Sequence, residues 1–79
     1  MKARVYVTLK SGVLDPQGQA VARALGRLGF AEVKDARIGK YIEMQIDDGV
    51  KDVEAHLKQM CEKLLANTVI EEYRYEIVK

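Results

Sequence analysis

Apolar residues fall at every second position from Ala3 to Leu9, with Tyr6 and Thr8 on the other side. A period of two predicts a strand with one face on a core. Lys10, Ser11 and Gly12 end it, and Asp15-Pro16 opens a helix. Asp15 offers an oxygen to the orphan amides of the first turn, and Pro16 loses nothing at the first helical position. Val21, Ala24, Leu25 and Leu28 then share one helical face. Gly29 suits the left-handed residue that closes a helix. Gly18 and Gly26 inside the helix each cost up to ~1 kcal/mol against alanine. Either another backbone approaches them or the helix tolerates them.

Glu32 to Ile38 reads as a second strand with a flaw, since Val33 and Ile38 are five apart and cannot share a face. A bulge near Asp35, or a late strand start, would reconcile them. Gly39-Lys40 is the expected reversal. Tyr41 to Asp47 follows as a third strand, with Ile42, Met44 and Ile46 on one side and Tyr41, Glu43, Gln45 and Asp47 on the other. Asp47-Asp48-Gly49 supplies cap candidates for a second helix, whose stripe is Val50, Val53, Leu57, Met60, Cys61 and Leu64. Ala66-Asn67-Thr68 stops that helix. Val69 to Val78 is the last strand, with Tyr73, Tyr75 and Ile77 on one side and Glu72, Arg74 and Glu76 on the other, as on a partly wet edge.

The order β-α-β-β-α-β predicts an α+β, ferredoxin-like sandwich in a single domain over residues 1–79. Right-handed crossovers would place both helices on one face of a four-stranded antiparallel sheet. Tyr6, Thr8, Tyr41, Glu43 and Gln45 then lie on a face that nothing in the chain covers. Such a face is either solvated or an interface. A chain of 79 residues builds a thin core, which favours self-association as a dimer or tetramer.

Composition narrows the function. Hydrophobic residues are 48% and charged residues 32%, an ordinary globular balance, and the formal charge is +1. No basic run interleaves with aromatics, which speaks against nucleic acid. The single cysteine, Cys61, excludes an internal disulfide framework and a clustered-cysteine zinc site. No apolar stretch approaches the ~20 residues of a membrane span, and a cytoplasmic protein is expected. Lys10-Ser11-Gly12 lacks the glycines and the Gly-Lys-Ser/Thr ending of a phosphate loop. His56, the only histidine, has no ligand neighbours at metal spacing. Cys61 sits on the apolar stripe, where thiols act as small hydrophobes. Glu71 and Glu72 point to opposite faces of a strand and cannot act as a carboxylate pair. The expectation is a chain with no catalytic residues, no bound cofactor and no metal.

Several stretches resemble the PurS family, the small subunit of phosphoribosylformylglycinamidine (FGAM) synthase. They are Val5-Tyr6-Val7-Thr8-Leu9-Lys10, Gly12 to Gly18, Val21 to Leu25 with Leu28-Gly29, Arg37 to Glu43, Cys61 to Asn67, and Val69-Ile70-Glu71 with Tyr73. Leu14-Asp15-Pro16-Gln17-Gly18 is the most specific of them, followed by Leu64-Leu65-Ala66-Asn67. Thr68 departs from a frequent proline but still favours extended backbone. The resemblance implies a non-catalytic subunit in de novo purine synthesis. It implies a large synthetase subunit (PurL) that binds ATP and magnesium, and a glutaminase subunit (PurQ) that releases ammonia. It also implies a small subunit that bridges the two and supports ammonia transfer. Lys10, Arg37, Lys40, Tyr41 and Glu43 are the candidate partner surface, and Tyr6, Thr8 and Gln45 the candidate sheet-face interface. The alternative reading is a ferredoxin-like small-molecule-sensing module. RNA binding through the sheet is disfavoured because the face lacks a close aromatic pair in a basic surround.

Overall fold

The structure, a computed structural model, describes residues 1–79. Its elements are β1 (Lys2–Leu9), α1 (Pro16–Arg27), β2 (Gly39–Gln45), α2 (Val53–Met60) with a π-helical turn (Cys61–Leu65), and β3 (Glu71–Val78). Three strands form an antiparallel sheet in the order β2-β1-β3. The α+β class follows the sequence pattern, β1 is the central strand, and the expected fourth strand does not form.

Alternation along β1 does what it predicts. Ala3, Val5 and Val7 are fully buried and cluster with Leu57, Cys61 and Ala66. Ile42, Met44 and Ile46 from β2, and Tyr73, Tyr75 and Ile77 from β3, pack against that cluster. α2 therefore covers one sheet face. The helix widens after Met60, where the Ala66 amide donates to the Cys61 carbonyl five residues back (2.9 Å). That change of pitch takes Leu64 off the predicted stripe, and it is 84% exposed while Leu65 turns inward. The cap of α2 also differs from expectation. Asp52, at φ 53°, stands at the N-cap without a side-chain bond, while Asp48 pairs with the Met1 ammonium.

Residues 32–38 do not pair with any strand. Two of their amides are taken by side chains instead, Ile38 donating to Asp15 Oδ2 (2.9 Å) and Ala36 to Asp35 Oδ1 (2.9 Å), while the Val33 amide donates to the Phe30 carbonyl (3.2 Å). Gly39-Lys40 is likewise not a reversal. Both residues already lie in β2, where Gly39 opposes Thr8 and its Cα comes close to β1. A Cβ there would sit 2.4 Å from the Val7 carbonyl oxygen.

Asp15 and Pro16 open α1 as expected, with the Gly18 amide donating to Asp15 Oδ1 (2.9 Å). Gly18 is where a second backbone does approach, because a Cβ would lie 2.1 Å from the Ala36 carbonyl oxygen. Gly26 has no such neighbour and is simply tolerated. The apolar stripe of α1, however, adds nothing to the core. The helix and residues 30–38 form an arm rooted at the Leu9 end of β1. There the Arg37 guanidinium donates to the carbonyls of Leu9 and Lys10. The molecule is consequently 51 Å long with a radius of gyration of 16.0 Å. A compact chain of this length would have about 12 Å.

Asp15 joins the first turn of α1 to the segment before β2, accepting from Ile38 and Gly18. Those two bonds, in that order of weight, hold its carboxyl below the usual aspartate range. A depressed carboxyl contributes stability that is present above its unfolded pKa and lost as pH falls through the lower folded value. The arm is therefore expected to loosen at acid pH, below the ordinary aspartate value of about 3.9. Amide exchange at Ile38 against pH measures this, and Asp15→Asn should flatten that dependence.

Candidate partner interface

The second face of the sheet carries the polar half of each strand. Register sets Arg4 between Glu43 and Glu76, and Tyr6 between Tyr41 and Arg74. The rings of Tyr6 and Tyr41 lie 5.2 Å apart, and the Arg74 guanidinium sits 4.1 Å over the Tyr6 ring. Tyr6 donates its hydroxyl to Glu76 Oε1 (2.7 Å), and Tyr41 donates to Glu43 Oε2 (3.0 Å). Lys2 Nζ lies 3.1 Å from Glu43 Oε1. Arg4 Nε is buried and has no acceptor. An unanswered donor on a cation at a sheet surface is suited to an acceptor brought by another molecule.

These contacts fix protonation. The Glu76 bond, then burial, pushes the Tyr6 phenol up. Burial, then the Glu43 bond, does the same to Tyr41. The Lys2 and Tyr41 bonds hold Glu43 down. The two phenols are held as neutral donors and Glu43 as a charged acceptor, an arrangement of rings and fixed charge suited to recognition. On the core side, burial and the Glu62 bond push Tyr73 up to about 12.

The structure divides the predicted surface in two. Tyr6, Thr8, Lys40 and Tyr41 line one hollow of about 430 Å³, bordered by Arg74 and Glu72. Glu43 is bonded to Tyr41, and Gln45 lies at the far end of β2 opposite Lys2. Lys10 and Arg37 belong to the root of the arm, where Arg37 is engaged with backbone carbonyls. Its predicted freedom to meet a partner is thereby reduced. Lys40 is freer, with its Nζ 3.8 Å from Glu71 Oε2 and a half-exposed side chain. Arg4, Arg74 and Glu76 escaped the sequence reading. The signal for them is register, since placing the last strand beside β1 sets all three around Tyr6.

His56 is exposed on α2 beside a separate cleft on the core side. Cys61 is fully buried, and burial pushes its thiol up, away from the thiolate a nucleophile needs. Cys61→Ala is expected to cost ~1–2 kcal/mol of stability, which the denaturant midpoint measures.

Comparison with known proteins gives a consistent picture. The family model described as "PurS: Phosphoribosylformylglycinamidine (FGAM) synthase" matches residues 2–79. The chain is 58% identical over 76 residues to the Bacillus subtilis phosphoribosylformylglycinamidine synthase subunit PurS, covering 96% of this chain and 90% of that one. It is 40% identical over 79 residues to the Methanocaldococcus jannaschii subunit of the same name, covering 99% and 95%. Among solved structures, B. subtilis PurS in a C2 crystal form superposes with a TM-score of 0.90 at 56% identity, over 99% of this chain and 98% of that one. The structure of PurLQS from Thermotoga maritima includes a chain that superposes at 0.75 with 32% identity, over 98% and 95%.

Proposed function

The chain belongs to the PurS family and is thereby a subunit of FGAM synthase in purine biosynthesis, and we propose that it works there as the non-catalytic bridge between the synthetase and glutaminase subunits. The observation that carries this is the family match along residues 2–79. In this reading ATP and magnesium belong to the large subunit. The polar sheet face and the hollow beside Lys40 are partner surfaces. Self-association and a cytoplasmic workplace complete it, and two helices on one sheet face become a property of the assembled oligomer rather than of the single chain.

No helix is long and apolar enough to cross a membrane. The radius of gyration and the uncovered arm both favour a chain whose folding is completed by partners. A sensing module would instead require an enclosed site within the chain or at its dimer interface, and no observation favours it.

Binding tests the bridge directly. The chain, immobilised, is expected to retain both the matching large subunit and the matching glutaminase from purified mixtures. Lys40→Glu should weaken that assembly by about ten-fold through like-charge repulsion with the neighbouring Glu71 and lost complementarity, with the dichroism spectrum unchanged. Unaltered affinity would remove the Lys40 hollow from the partner surface. Retention of neither subunit would overturn the bridge.

A further inference from the structure

The polar face of the sheet holds three cations, and one of them is unanswered. Lys2 pairs with Glu43 (3.1 Å), and Arg74 lies over the Tyr6 ring and pairs with Glu76 (3.8 Å). Arg4 stands between them on the central strand and has neither an ion pair nor a hydrogen bond. Its Nε is closed to solvent without an acceptor, whereas its two Nη nitrogens, equally unbonded, remain accessible. The side chain as a whole is half-buried.

Its own chain has no acceptor to spare. Register gives Arg4 two carboxylates as cross-strand neighbours, Glu43 and Glu76. Glu43 already takes Lys2 and the Tyr41 hydroxyl, and Glu76 takes Arg74 and the Tyr6 hydroxyl. A guanidinium drawn partly out of water with no partner is unfavourable in a free chain. In an assembly it is a socket, because the two Nη groups present parallel donors to one incoming carboxylate. The same neighbours select the ligand. A phosphate dianion here would be repelled by Glu43 and Glu76, whereas a single carboxylate brings one charge and matches the fork.

We propose that Arg4 anchors an aspartate or glutamate side chain of one of the two other synthase subunits, on a segment laid across the polar sheet face. The surroundings suit such a segment. Tyr6 lies two residues along β1 on the same face, about 7 Å away at ~3.4 Å per residue. Its ring is 5.2 Å from that of Tyr41, and both rings border the 430 Å³ hollow. A charged fork beside two rings and a hollow is the grouping that carries most of the energy at protein interfaces. One short segment can fill the hollow and still set its carboxylate on Arg4. The inference rests on the bridging role proposed above and adds the residue and the ligand chemistry that serve it.

Arg4→Met and Arg4→Lys decide it, each titrated against the purified large subunit and the purified glutaminase in turn. Arg4→Met keeps an unbranched stem and removes the charge. It is expected to weaken binding to at least one subunit by about thirty-fold or more. The denaturant midpoint of the free chain should hold or rise, since the cation it loses had no partner there. Arg4→Lys keeps the charge but loses the fork, and should stay about five-fold or more short of the native affinity. Native affinity in Arg4→Lys would overturn the paired contact, and that reading stands even if Arg4→Met does not fold. A folded Arg4→Met with undiminished affinity for both subunits would overturn the proposal and leave the bridge standing. Failure of the native chain to bind either subunit would overturn the bridge and the proposal together. Two further results would also overturn it by giving the socket another occupant. One is loss of self-association in Arg4→Met, by sedimentation equilibrium, with subunit binding intact. The other is saturable binding of millimolar inorganic phosphate to the free chain that Arg4→Met abolishes.

Discussion

Glutamine-dependent FGAM synthesis by the matching large and glutaminase subunits is expected to rise by about two orders of magnitude or more when this chain is added, because coupling two active sites replaces a diffusive encounter with a directed one. Ammonia released into water at neutral pH is mostly protonated and no longer a nucleophile. A bridge that holds the sites in register and excludes water keeps it in the reactive form. High external ammonium supplies the nucleophile without the glutaminase, so the rate with ammonium chloride should depend on this chain much less. Paired rate measurements with the two nitrogen sources, with and without the chain, give the comparison. Equal stimulation of both would mean that the chain acts on the synthetase itself and not on nitrogen transfer. The isolated chain should neither hydrolyse ATP nor deaminate glutamine.

Leu57→Ala is the substitution expected to damage the fold most. Leu57 is the largest side chain that is fully buried, and it is the residue of α2 that sits among Val5, Val7 and Cys61. Cutting it to alanine removes the transfer energy of three carbons and leaves a cavity, together about 2–5 kcal/mol. A core this small supplies little more than about 3–5 kcal/mol in all. The variant alone should therefore be largely unfolded at 25 °C, and ligation into an oligomer should restore part of its structure. Urea titration at two protein concentrations separates the two contributions. A loss below about 1 kcal/mol would mean that α2 is not the element that closes the sheet.

Periodicity in the sequence reports which side of an element wants to leave water, and there it served well. Ala3, Val5 and Val7, the set Ile42, Met44 and Ile46, and the set Tyr73, Tyr75 and Ile77 all turn inward as their spacing says. Periodicity does not report what the apolar side will meet. Val21, Leu25 and Leu28 have the spacing of a core helix and yet find no core in their own chain. Residues 32–38 failed as a strand for a different reason. The Ile38 and Ala36 amides go to the Asp15 and Asp35 side chains and the Val33 amide to the Phe30 carbonyl, and the flaw between Val33 and Ile38 was the visible trace of that. The cap of α2 was misplaced at Asp47-Asp48-Gly49 because an aspartate there looks no different in sequence from Asp52, which stands at the N-cap. Only the fold shows that Asp48 faces the Met1 ammonium. On the polar sheet face, Tyr6, Thr8 and Tyr41 were legible from alternation, whereas the engagement of Arg37 with the Leu9 and Lys10 carbonyls depends on a contact 27 to 28 residues apart.

The projecting arm also ties the lifetime of the protein to its abundance. A newly made copy, before it meets another subunit, presents Leu28, Phe30 and the exposed turn that follows to any protease or chaperone that reads exposed apolar chain. Were assembly to cover that stretch, copies produced in excess of their partners would be removed while assembled ones persist. Subunit stoichiometry would then be kept by the shape of the smallest member, through turnover rather than through control of synthesis.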